Sequence, residues 1–132
     1  MSFLVDTDTC SAHLKQTGPV PARFLQYAGQ LHISVITLGE LYTWALRAKS
    51  PPRRMQGLLE LLDDVNLLEI NATVAREFGR LRALLMDAGR PAPDLDLLIA
   101  ATAVAHGLTI VTHNTQDFAG IPCLNVVDWL SA

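Results

Sequence analysis

The chain has 132 residues, half of them hydrophobic, with a formal net charge of −3. That length and composition fit one domain, residues 1–132, with a well-buried core, and exclude a disordered chain. The balance of charge supplies no general attraction to nucleic acid, so RNA binding has to rest on a local basic cluster.

Phe3-Leu4-Val5 is a short apolar run that stops at the polar tip Asp6-Thr7-Asp8-Thr9, the pattern of a buried strand. Because an acid follows only three apolar residues and no basic residue precedes them, this opening is not a signal peptide. No apolar run approaches the ~20 residues of a bilayer-spanning helix, so a cytoplasmic protein is expected. Helices are predicted over Thr9–Gln16, closed by Gly18-Pro19, and over Val20–Ala28, closed by Gly29. Leu31–Val35 reads as a second strand, and a helix follows from Leu38 to about Ala48. Pro51-Pro52 break it before another helix over Arg53–Leu62. Val65–Ile70 is a third strand. Ala72–Asp87 is a long amphipathic helix with Val74, Phe78, Leu81 and Leu85 on one face. After the loop Gly89-Arg90-Pro91-Ala92-Pro93, the apolar segment Leu95–His106 forms a helix that Gly107 ends. Leu108–Val111 is a fourth strand and Leu124–Val127 a weak fifth. Cys10 and Cys123 are expected as two free, buried thiols.

The strands alternate with helices and are continuous apolar runs, which points to a parallel sheet covered on both faces. Ligands of such sheets bind beyond the carboxyl ends of the strands. The polar residues placed there are largely acids: Asp6 and Asp8 after the first strand, Glu40 in the first turn of the helix after the second, and Asn114 and Asp117 after the fourth. Asp96 opens the helix that leads into the fourth strand. Carboxylates gathered in one crevice repel one another, and one or two hard divalent cations, Mg²⁺ or Mn²⁺, resolve that conflict. Metal-assisted hydrolysis of a phosphodiester suits such a site.

Each acid also has a purely structural reading. Asp6 or Asp8 can cap the first helix. Thr37-Leu38-Gly39-Glu40 fits a capping box. Asp94 fits a helix cap, Asp96 a residue favoured by the helix dipole, and Asp117 a surface turn.

With these residues in view, the sequence resembles the PIN-domain ribonucleases, in particular VapC-type toxins of bacterial toxin–antitoxin pairs. The resemblance runs from Phe3 to Trp129. It is carried, in order, by Phe3–Asp8, Ile33–Leu41, Asp94–Ala103 and Gly107–Phe118, with a similar ending Val127-Asp128-Trp129. It implies a compact α/β/α PIN fold with a central parallel sheet of four to five strands flanked by helices. It also implies Mg²⁺- or Mn²⁺-dependent RNA cleavage, a homodimer and a cognate VapB-type antitoxin. Matched by position, the family's catalytic acids fall on Asp6, Glu40, Asp96 and Asp117, with Asp6, Asp96 and Asp117 as metal ligands and Asp8, Thr112 and Asn114 in support. The family usually carries Asn where this chain has Asp8, and many relatives have Gly where it has Pro93.

Arg47, Lys49, Arg53 and Arg54 cluster around the proline break, while Arg76, Arg80 and Arg82 lie on the long helix. Solvated helix faces explain such residues; phosphate contacts from Arg47, Arg53, Arg54 and Arg80 are the functional alternative. Tyr42 and Trp44 fit core or interface packing, or base stacking. His113 stands near the proposed site. Two rival functions remain. The Asp6-Thr7-Asp8 opening resembles haloacid-dehalogenase-type phosphatases, but these, like receiver-type phosphoacceptor domains, need a later lysine, and the only lysines here are Lys15 and Lys49. A catalytically silent module that binds an antitoxin or RNA is the other.

Overall fold

A computed structural model describes residues 2–131. Five short strands, β1 (Phe3–Val5), β2 (Leu31–Ser34), β3 (Asn66–Leu68), β4 (Thr109–Val111) and β5 (Val126–Val127), form one sheet in the order β3-β2-β1-β4-β5. Every pairing is parallel, and β1 lies at the centre with Phe3 opposite both Leu31 and Thr109. The helices are α1 (Thr7–Leu14), α2 (Val20–Gln26), α3 (Val35–Leu46), α4 (Pro52–Asp64), α5 (Ala72–Asp87), α6 (Asp94–His106) and α7 (Thr115–Ala119).

Successive strand residues point to opposite faces, and this alternation divides the core. Phe3, Val5, Leu31, Ile33 and Val111 pack on one side with residues of α1, α2, α3 and α4, and with Trp129. Leu4 and Ile110 pack on the other with residues of α5, α6 and Phe118 of α7. Both faces are therefore covered, as the continuous apolar strands require. Full burial of a side chain such as Leu97 or Ile99 contributes roughly 1.5–3 kcal/mol. Gly107 closes α6 in the left-handed region, φ 66°, and turns the chain straight into β4.

Several boundaries differ from those read in the sequence. Helix α1 begins at Thr7 rather than Thr9, because Asp6 is its N-cap and accepts the Thr7 N–H. Helix α3 begins at Val35 rather than Leu38. The buried Ser34 hydroxyl accepts the Thr37 N–H at 3.1 Å, so the β-branched run Val35-Ile36-Thr37 is the first turn of a helix and not the end of a strand. Thr37 is thus not an N-cap, the capping-box reading of Glu40 fails, and Glu40 stands in the second turn. Asp94 caps nothing: Pro93 holds the N-cap position of α6, and the Asp94 carboxylate instead meets Arg82 at 3.4 Å. Cys10 is buried as expected, but Cys123 is exposed.

Candidate active site

The chain leaves β1 toward β2 and leaves β4 toward β5, in opposite directions. Divergence of this kind opens a crevice at the carboxyl ends of the two strands. A crevice of about 320 Å³ lies there, lined by Asp6, Asp8, Glu40, Asp96, Asn114 and Asp117 together with Thr7, Ser11, Leu41 and Trp44. Four elements deliver the matched acids: the β1–α1 junction, α3, the first turn of α6, and α7. A larger cavity, about 500 Å³, opens near the amino ends of β2 and β3, beside His13, Asp63 and Asp64. None of the matched acids lines it.

Asp6 is the most constrained of the acids. It is 8% exposed. One carboxylate oxygen accepts the Thr7 N–H at 2.8 Å and the other accepts the Thr112 hydroxyl at 2.9 Å. Burial is the main cause that raises its pKa to about 6; the nearby charges of Asp8 and Glu40 add to it, and the two hydrogen bonds oppose it. Asp96 is half-buried at the start of α6. Burial raises its pKa as well, and the charges of Asp117 and Glu40 raise it further. Glu40 therefore faces both halves of the acidic group. Its carboxylate accepts the Thr7 hydroxyl at 2.7 Å.

Asp8 plays a different part. Its Oδ2 accepts the backbone N–H groups of His113 at 3.0 Å and Asn114 at 3.2 Å. The Thr112 hydroxyl lies 3.4 Å from the same oxygen but has a single proton, which its shorter contact to Asp6 takes. Asp8 thereby ties the start of α1 to the loop after β4, and that loop carries Asn114 and Asp117. Asp117, exposed in the first turn of α7, is held from below by the buried Phe118.

Other residues singled out in the sequence fall elsewhere. His113 turns away from the crevice and meets Asp128 at 3.1 Å. Arg80 is paired with Glu77 at 2.8 Å and lines neither the crevice nor the pockets beside it. Arg54 lies over the Trp44 ring, 4.9 Å from its centre, so one face of that ring is already occupied. The sequence reading missed Thr7 and Ser11 as parts of the crevice, while Trp44, read there as a packing or base-stacking residue, walls it. The signal for the first two was helical spacing: once α1 starts at Thr7, Thr7 and Ser11 stand one turn apart on one face.

The donor set is all oxygen, which fits a hard cation such as Mg²⁺ or Mn²⁺ and not a soft one. Two of its acids are pushed toward protonation by burial and by neighbouring negative charge, and a cation would relieve both effects. Among the described residues no three His, Cys, Asp or Glu side chains close into a tight cage. An open group of carboxylates suits a cation that keeps several waters.

Comparison with known proteins agrees with this geometry. The PIN domain family profile matches residues 3–122. The tRNA(fMet)-specific endonuclease VapC of Shigella flexneri is 33% identical over 130 residues, covering 98% of each chain. The ribonuclease VapC2 of Haemophilus influenzae is 28% identical over 131 residues. Among solved structures, DNA-bound VapBC from Salmonella typhimurium contains a chain that superposes with a TM-score of 0.91 at 31% identity, over 98% of both chains. The Rickettsia felis VapBC2 complex gives 0.89 at 27%. By its sequence over nearly its whole length and by its fold, the chain belongs to the PIN-domain family, among the VapC-type proteins.

Proposed function

We propose that this protein is an endoribonuclease, the toxin of a type II toxin–antitoxin pair, and that it hydrolyses RNA phosphodiester bonds with the help of Mg²⁺ or Mn²⁺. The observation that carries the reading is the convergence of Asp6, Glu40, Asp96 and Asp117, far apart in sequence, in one crevice at the carboxyl ends of β1 and β4. Asp6, Asp96 and Asp117 would hold the cation. When bound, it supplies an activated water and neutralises charge on the departing oxygen.

The remaining work belongs to the chain. The Thr7 N–H and the Thr112 hydroxyl fix both oxygens of Asp6. The Thr7 hydroxyl fixes Glu40, which stands ready to accept a proton from the attacking water. Asp8 holds the loop that presents Asn114 and Asp117. The names of the VapBC relatives support a VapB-type antitoxin as partner, and the family supports a homodimer; light scattering of the complex and of the freed toxin measures both. The Shigella relative's name makes tRNA(fMet) the first substrate to try.

The test uses purified protein freed of antitoxin, incubated with total RNA and with tRNA(fMet) in Mg²⁺, Mn²⁺ or EDTA, beside Asp6→Asn. Discrete cleavage that needs the cation and vanishes in the variant is the expected result. Cleavage that survives both EDTA and Asp6→Asn would sink the carboxylate mechanism. No cleavage of any RNA would move the reading to an interaction module.

A further inference from the structure

Trp44 stands between two pockets. On one side it walls the carboxylate crevice, and on the other it lines a pocket with Lys15, Arg53 and Arg54. Arg54 in turn lines a third pocket with Arg47 and Lys49. The three depressions adjoin through shared residues and lead away from the acids. Five of the ten lysines and arginines in the chain, including both lysines, line this path, although acids outnumber bases in the protein as a whole. Neither outer pocket is lined by an acid. Among the described residues none of the five cations has a salt bridge; the arginines that do, Arg80 and Arg82, lie on α5.

The local structure explains why these charges share one side. Lys15 is the C-cap of α1, Arg47 the C-cap of α3, and Arg53 and Arg54 open α4 behind the proline break. Arg54 is set in place from two directions, by the Trp44 ring beneath it and by the Trp44 carbonyl, which its guanidinium donates to at 3.4 Å. An arginine held in this way loses less freedom when it binds an anion. Lys15, Arg47, Lys49 and Arg53 are exposed.

A row of unpaired cations beside a row of carboxylates repels the wrong ligand at each end. A polyanion whose scissile phosphate sits among the acids needs its flanking phosphates neutralised elsewhere, because the crevice itself repels them. The path past Trp44 does this, and its single file of adjoining depressions suits one backbone rather than a duplex face. We propose that Lys15, Arg53 and Arg54, continued by Arg47 and Lys49, form a phosphate track that holds the unpaired RNA segment leading away from the carboxylate crevice. The proposal rests on the endoribonuclease reading and deepens it: the track positions substrate without reading its bases, and sequence selection lies elsewhere.

Binding and cleavage are measured separately so that the two readings can fail independently. A fluorescent unpaired RNA oligonucleotide is titrated with the full chain in EDTA, by anisotropy, across a salt series. Lys15→Ala, Arg53→Ala, Arg54→Ala and the triple variant are compared with the parent, with Arg80→Ala as the control outside the track. Each lost phosphate contact is expected to reduce the slope of log K against log salt by about 0.7, so that the triple variant loses about 2, while Arg80→Ala matches the parent. Lys15 and Arg53 are exposed, so their single variants keep the fold and read the track even if Arg54→Ala loosens Trp44; thermal melts check this. A slope unchanged in all track variants, or a loss shared equally by Arg80→Ala, overturns the track whatever the cleavage assay gives. Variants that bind RNA as the parent does but escape inhibition by the antitoxin also overturn it, and assign the basic path to an acidic stretch of that partner. Cleavage by the parent protein decides the endoribonuclease reading alone.

Discussion

Asp8 accepts the backbone N–H of His113 at 3.0 Å across 105 residues of sequence. With the neighbouring bond from Asn114, this contact joins the start of α1 to the loop that leads into α7. Asp8 thus holds the loop that carries Asp117, and the expectation is that it does so without carrying metal. An Asn side chain can also accept with its oxygen, so Asp8→Asn is expected to keep cation affinity and cleavage within a few-fold. Asp8→Ala removes the acceptor of the exposed His113 N–H, while the Asn114 N–H keeps the Thr112 oxygen at 3.1 Å, so the cost should be about 0.5–1.5 kcal/mol of stability. It should also lower kcat more than it raises KM. Urea melts and steady-state cleavage check both variants; a large loss of cation affinity in Asp8→Asn would make Asp8 a ligand after all.

The buried Asp6 gives the cation-free protein a pH dependence. Its folded pKa, about 6, lies above the ordinary 3.8, so the folded state holds the proton more tightly than the unfolded chain does. Its contribution favours the fold below about pH 4 and is lost as pH rises through about 6, a change of roughly 3 kcal/mol. In EDTA, Asp6→Asn should remove this slope and melt higher than the parent at pH 7.5, while abolishing cleavage. Added Mg²⁺ should raise the parent's Tm and leave the variant's nearly unchanged. Identical slopes in EDTA for the two proteins would contradict the burial argument.

Thr7 acts through Glu40. The residue is partly exposed and its side chain makes one hydrogen bond, so Thr7→Val should leave Tm within about 1–2 °C, as surface substitutions do. Cleavage should fall by about tenfold, within the contribution of a positioned acid–base group. If Thr7 works only by orienting Glu40, Thr7→Val in a Glu40→Gln background should cost little more, and Thr7→Ser should restore activity. Rates that multiply in the double variant would mean separate roles.

Ser34 is a test of the fold rather than the chemistry. Its buried hydroxyl starts α3, and Ser34→Ala should destabilise the protein by about 1 kcal/mol, lowering Tm by roughly 4 °C. Cleavage measured well below that Tm should persist. Loss of activity at full folding would place α3, and with it Glu40, under tighter control by this cap than a single lost bond predicts.

Much of the molecule was legible in the residues themselves. Continuous apolar strands alternating with helices fixed a parallel sheet with two covered faces, because only such a sheet buries both sides of a strand. Positions after strand ends and at a helix start gathered Asp6, Asp8, Glu40, Asp96 and Asp117, and the family resemblance, carried by four stretches of sequence, marked Asp6, Glu40, Asp96 and Asp117 among them. What remained hidden depended on side chains choosing among several local partners. Thr37 and Ser34 both precede apolar residues and both can cap a helix; burial of the Ser34 hydroxyl against the Thr37 N–H decided between them. The acids Asp6 and Asp8 look alike in sequence and both line the crevice, yet one has its two oxygens fixed by Thr7 and Thr112 while the other clamps a loop more than a hundred residues away. The basic residues were visible as charges, but Lys15 joined Arg53 and Arg54 only when α1 and α4 packed together, and Arg80 left the group by pairing with Glu77. Periodicity and residue type determine which faces are buried, since that depends on the chain's own pattern; the partner of each polar group depends on which distant segments the buried faces bring within reach, and only the tertiary structure decides that.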